Sequence, residues 1–119
     1  MATKKEVREF LDKFRMVAGS PKRLILLRSY PGSKNSDGLL NLGMTEAEAK
    51  GEIFRLRTED YSAGPEDDRD KPGQKVWKFA PIIRGHEVYV KLILTADGRA
   101  KVLSFHPPEY PMPRPFQNK

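Results

Sequence analysis

The chain contains no cysteine, which excludes disulfides and thiolate metal sites and fits a reducing cytoplasm. Histidine is scarce: His86 and His106 stand far apart, and no zinc or EF-hand spacing surrounds them, so no metal site is expected. No apolar run approaches the ~18–20 residues that span a bilayer, and no secretory apolar region follows Met1-Ala2-Thr3-Lys4-Lys5, so no membrane association is expected. P-loop, GxGxxG, GxSxG and HExxH patterns are all missing, which leaves nucleotide-cofactor and protease chemistry without support. No internal repeat or second compositional block appears. The expectation is a single domain over 1–119 with one modest core and no cofactor.

What the chain does have is charge, unevenly placed. The net charge is +6, from 22 basic and 16 acidic residues. Six of the acids (Glu59, Asp60, Glu66, Asp67, Asp68 and Asp70) fall in Glu59–Asp70, beside one base, Arg69. A basic body with one acidic segment suits a polyanion such as RNA. A well-solvated surface would carry the same balance.

Val7, Phe10, Leu11, Phe14 and Val17 follow helical spacing and predict an amphipathic helix that Gly19 stops. Arg23–Arg28 reads as a short buried strand, Tyr30–Ser33 as a turn, and Asp37–Asn41 as a short helix with Ser36 as candidate N-cap. Thr45-Glu46-Ala47-Glu48 is a capping box, predicting a helix from about Glu46 to Arg57 that buries Ala49, Ile53 and Leu56 or Phe54. The acidic, Pro- and Gly-punctuated stretch Asp60–Gln74 reads as a long surface loop. Repeated proline bars helix and central strand after His106, so 107–119 is expected as an extended, Pro-rich tail.

Val76–His106 carries the strongest pattern. Lys75–Ile83 ends at Arg84-Gly85, His86–Thr95 ends at Asp97-Gly98, and Ala100–His106 follows. Two-residue loops at those turns predict two successive hairpins. Tyr89 then faces His106 across one strand pair, and Lys78 faces Lys91 across the other. Alternation puts Val88, Val90, Leu92 and Leu94 on the core face, with Trp77, Phe79, Leu103 and Phe105 opposite them. Pro81 marks an edge or a bulge in the first run. The expected fold is α+β, with N-terminal helices packed on a small sheet containing a C-terminal three-stranded antiparallel meander.

The polar face of that meander gathers a phenol, an imidazole and two ammonium groups. Imidazole is the side chain that ordinarily exchanges protons near neutrality, while phenol and ammonium groups donate protons and stabilise anions. Such a set suits metal-free RNA cleavage, in which a 2′-hydroxyl attacks the adjacent phosphate. That reaction needs a base at the 2′-oxygen, an acid at the leaving 5′-oxygen and cations on the developing charge. Arg55 and Arg57 would add a cation if their helix packs beside the meander. Taken singly, each residue has an ordinary structural reading as strand filler, capping residue or solvated surface. Trp77 falls on the apolar face and reads as core rather than a base-stacking platform.

Further motifs run through the same region: Leu42-Gly43-Met44-Thr45, Asp60-Tyr61-Ser62, Trp77, Gly85-His86-Glu87-Val88-Tyr89-Val90-Lys91, and Leu103-Ser104-Phe105-His106. Together they resemble the MqsR family of mRNA interferases, within the RelE-like group of bacterial toxins, over about Leu42 to His106. The resemblance implies a RelE-like fold and a cytoplasmic, ribosome-independent endoribonuclease that cleaves mRNA at a short sequence. It also implies neutralisation by a cognate helix-turn-helix antitoxin, through which the complex would reach operator DNA. The family's active-site positions fall on Arg55, Lys78, Tyr89 and His106 as a catalytic set; Lys91 from the polar face and Arg57 from the third helix are the candidate substrate-binding cations beside it. Tyr89 matches directly. Arg55 replaces a lysine, Lys78 stands where glutamine is expected, and His106 stands where the family prototype has lysine. These departures point to a subgroup that uses histidine as its proton carrier. The alternative is a non-catalytic RNA-binding or partner-binding module on the same fold.

Overall fold

The N-terminal periodicity builds a helix. In the computed structural model, which describes residues 1–117, α1 (Lys4–Ala18) buries Val7, Phe10, Leu11 and Phe14. Thr3 and Glu6 close its N-terminus as a capping box, and Gly19 ends it at a φ of 80°. The second helix, α2 (Lys34–Leu42), starts one turn earlier than the sequence suggests, because Ser33 rather than Ser36 caps it. The third, α3 (Glu46–Phe54), starts at the expected capping box but stops three residues short of Arg57. Arg15 explains where it stops: its guanidinium, projecting from α1, donates to the carbonyls of Phe54 and Leu56, each at 2.9 Å. Those orphan carbonyls are satisfied without a further turn.

The described residues form seven strands: β1 (Ile25–Leu26), β2 (Tyr61–Asp67), β3 (Lys75–Phe79), β4 (Ile82–Ile83), β5 (His86–Glu87), β6 (Tyr89–Leu94) and β7 (Ala100–His106). Five of them form a mixed sheet in the order β1-β7-β6-β3-β2, with β1 parallel to β7 and the other pairs antiparallel. The strands β4 and β5 make a separate small hairpin. The fold is α+β, three helices on a mixed sheet, and one apolar cluster runs from Ala2 through the helices to Phe105. Among the described residues no helix is long and apolar enough to cross a membrane.

Both expected cross-strand pairs are present: Tyr89 opposite His106, and Lys78 opposite Lys91. The routes to them differ from the expectation. Pro81 splits the first run into β3 and β4, yet the β4–β5 hairpin keeps the offset that aligns Lys78 with Lys91. Arg84 tolerates its positive φ of 53° because its guanidinium is tied to the α2–α3 junction, donating to Gly43 O at 2.7 Å and to Glu48 at 2.9 Å. The Asp97-Gly98 loop has three residues rather than two. Thr95 N–H donates to Arg99 O, Gly98 N–H donates to Thr95 O, and Gly98 takes the left-handed position.

That longer loop shifts the pairing near the turn by one residue, so Leu92 faces Val102 rather than Leu103. A bulge between Lys91 and Leu92 on the pairing ladder restores the register in time for Tyr89 and His106. Leu103 is therefore corrected to the other side of the sheet, in a small cluster with Val76 and Ile93, and Val102 takes its place in the main core.

Asp60–Gln74 also requires correction. Its first half is β2, a sheet edge, where Pro65 is tolerated for lack of an outer neighbour. Tyr61 is fully buried there; its hydroxyl donates to Gly64 O and accepts from Ala2 N–H at 3.2 Å. Gly64 is required by close approach, since a Cβ at this position would lie 2.7 Å from Val76 O. Arg23–Arg28 yields only the two-residue β1, whose Ile25 is exposed. The tail after His106 has neither helix nor strand through residue 117; Asn118 and Lys119, the end of the expected 107–119 tail, lie outside the described residues.

Candidate active site

The sheet face away from α1 carries the polar side chains, and their positions follow from the register. Lys78 on β3, Lys91 and Tyr89 on β6, and Ser104 and His106 on β7 share that face. Tyr89 and His106 have ring centroids 5.4 Å apart at a tilt of 39°. They sit with Lys78, Ser104 and Ala63 in the floor of a cavity of about 520 Å³. Arg28 and Lys34 form one wall, and the proline-rich tail from Pro108 to Pro113 forms another.

Two polar contacts define what the floor can do. His106 Nδ1 lies 2.9 Å from Pro107 O. A carbonyl can only accept, so Nδ1 carries the hydrogen and Nε2 is left to gain or lose a proton. Lys78 Nζ lies 2.8 Å from a Glu66 carboxylate oxygen, and that hydrogen bond holds the ammonium above the ordinary lysine range, with partial burial opposing it. Lys78 is thus a standing cation near neutral pH rather than a proton donor.

The acidic segment turns out to lie against the site's cations. Glu66 pairs with Lys78, and Asp70 sits 3.6 Å from Arg28. Asp68 is held below the ordinary aspartate range, first by the Asp70 N–H and more weakly by Gln74 and the Lys91 ammonium. From the tail, Glu109 bonds Lys34 at 2.7 Å, which lowers the Glu109 carboxyl.

The strand end that carries His106 is held by α2. Beyond β1, the edge of β7 would expose unpaired backbone groups. The buried Asn35 side chain replaces the missing strand: its Oδ1 accepts from Phe105 N–H at 2.9 Å, and its Nδ2 donates to Leu103 O at 3.1 Å and Leu27 O at 2.7 Å. Gly38, one turn on, lets α2 approach, for a Cβ there would lie 2.7 Å from the His106 Cβ.

Of the six residues singled out in the sequence, Lys78, Tyr89 and His106 come together around one cavity. Lys91 stands beside them in the sheet but does not line it. Arg55 and Arg57 are elsewhere. They line a smaller cavity of about 170 Å³ with Asp60 and Arg114, where Arg55 bonds Glu52 at 2.9 Å and Arg57 N–H bonds Asp60. The condition on which they would add a cation, their helix packing beside the meander's polar face, is not met, because α3 packs on the opposite, apolar face. Ser104 was legible from alternation alone, two residues before His106. Arg28, Lys34 and the tail carry no local signal, since long-range packing brings them to the site. Among the described residues no three His, Asp or Glu side chains converge as a metal-ligand set would. No protein-family model, curated protein or solved structure matches this chain.

Proposed function

We propose that this chain is a RelE-like mRNA interferase of the MqsR type, a cytoplasmic toxin that cleaves single-stranded regions of mRNA by 2′-hydroxyl attack. The observation that carries the reading is the Tyr89–His106 pair at the floor of a cation-lined cavity beside Lys78. His106, through Nε2, moves the proton at the attacking or leaving oxygen, and Tyr89 positions or protonates beside it. Lys78, with Arg28 and Lys34 on the wall, stabilises charge on the phosphorane. Lys91 adds to the field without touching the scissile phosphate. Arg55 and Arg57, which line a separate cavity, stand outside the chemistry of this reading. The partners of this reading are mRNA and a cognate helix-turn-helix antitoxin, through which alone the complex would reach operator DNA.

The test is incubation of the purified protein with a defined mRNA in EDTA, followed by mapping of the cut ends. Cleavage leaving cyclic-phosphate or 3′-phosphate termini is expected, and a strict requirement for magnesium would overturn the mechanism. His106→Ala and Tyr89→Phe should each lower cleavage by about 10²–10⁴-fold. Salt-sensitive RNA binding with no products from any substrate would instead support a non-catalytic binding module.

A further inference from the structure

The tail is anchored on both sides of one aromatic residue that no described residue covers. Before it, Glu109 bonds Lys34 at 2.7 Å; after it, Met112 N–H donates to Glu87 at 2.9 Å, and Arg114 Nε donates to Ala80 O at 2.7 Å. Prolines 107, 108, 111 and 113 restrict the backbone between these ties. The tail's other aromatic residue, Phe116, packs on Tyr61 with centroids 5.3 Å apart. Tyr110 does not pack in this way: it lines the cavity that holds His106 and is 76% exposed. A restrained backbone presenting a bare aromatic face is preorganised to bind something flat. Three cations, Arg28, Lys34 and Lys78, line that cavity against one carboxylate, Glu109, and the excess of positive charge favours a ligand with phosphates.

We propose that Tyr110 is a base-stacking platform, holding a nucleobase of single-stranded RNA next to the phosphate seated over Tyr89 and His106. The proposal rests on the nuclease reading for the identity of the ligand, though not on turnover. Unstacked bases of single strands pair with aromatic faces, whereas bases inside a duplex are already stacked. The cavity volume of about 520 Å³ suits a ligand of nucleotide size.

The test is binding of a labelled, uncleavable 2′-O-methyl single-stranded oligonucleotide, read by fluorescence anisotropy. Tyr110→Ala should weaken binding roughly 5- to 150-fold, while Tyr110→Phe and Tyr110→Trp stay near the wild-type value. A single abasic position, found by scanning the oligonucleotide, should weaken the wild type but not Tyr110→Ala, as a direct contact requires. Duplex RNA should show no dependence on Tyr110. The exposed position makes misfolding of these variants easy to check by thermal melting.

An unchanged affinity in Tyr110→Ala would overturn the platform. Equal abasic penalties in both backgrounds would overturn it too. Cleavage by the wild type alongside either result removes the platform alone. Tyr110-dependent binding by a protein that never cuts RNA removes the nuclease reading alone.

Discussion

In the role proposed for it, stabilising phosphorane charge, Lys78 acts only while it is protonated, so the carboxylate beside it matters as much as the lysine. Glu66 raises the Lys78 value. The charged form, and the stability it brings, is therefore fully present below the ordinary lysine value of 10.5 and is lost only as pH rises through the raised folded value. Across about pH 6–9, Lys78 should contribute charge without titrating. Lys78→Arg should then keep the shape of the pH–rate profile, while Lys78→Met lowers kcat by on the order of 10²-fold without moving its inflections. An inflection that disappears in Lys78→Arg would mean the lysine is a proton carrier after all. The role of Lys78 as a floor residue was legible because strand alternation fixes a face. Its pairing with Glu66 was not, since that depends on β2 forming where proline, glycine and acids suggested a loop.

At the scale of elements, the site depends on how β7 is finished. Asn35 takes the place of a strand, bonding Phe105 N–H and Leu103 O where β1 has run out. Asn35→Ala should cost about 1–3 kcal/mol, the penalty of leaving buried backbone groups unpaired, and should lower activity through His106. Urea unfolding and the His106 imidazole NMR signals would show both; an unmoved imidazole signal would remove Asn35 from the positioning of the site. The helix starts make a separate prediction about pH. Glu6 and Glu48 are held below the ordinary glutamate value of 4.5, chiefly by the backbone N–H groups of Thr3 and Thr45. Their contribution is present above that value and is lost as pH falls through the lower folded values. Thermal stability should thus decline on the acid side of about pH 4.5, and Glu6→Gln with Glu48→Gln should flatten that decline. The Thr45 box was read directly from sequence; the Thr3 box has the same spacing and was equally available. The three-residue Asp97-Gly98 loop and its compensating bulge were not, because glycine after aspartate serves two-residue and three-residue loops alike. The Tyr89–His106 pairing survived because one register shift cancels the other.

At the scale of the molecule, the separation of charge seen in the sequence becomes internal neutralisation. A net charge of +6 describes the whole chain, yet Lys78, Arg28 and Lys34 each already face a carboxylate from the acidic segment or the tail. The Lys78–Glu66 pair is partly buried, but the Arg28–Asp70 and Lys34–Glu109 pairs are largely solvated, and each of these two stabilises the fold by only about 0–1 kcal/mol. On the proposed reading, a phosphate chain displaces the exposed acids at little cost and takes their place beside the cations. RNA binding should then report the number of cations in the cavity rather than the net charge. With three such side chains around it, the slope of log K against log salt for a single strand should be about −2, from roughly −0.7 per neutralised phosphate. Replacing Lys34, on the wall and outside the proposed proton-transfer pair, by Met should make that slope shallower by about 0.7 and leave Glu109 without its partner. Titration of an uncleavable oligonucleotide with KCl measures both values. A slope near −4 would show that Arg55, Arg57 and Lys91 all meet phosphate as well, at roughly −0.7 for each, and that RNA extends beyond the cavity. A slope near zero would mean that the paired acids are not displaced, and the cavity would then not be a phosphate site.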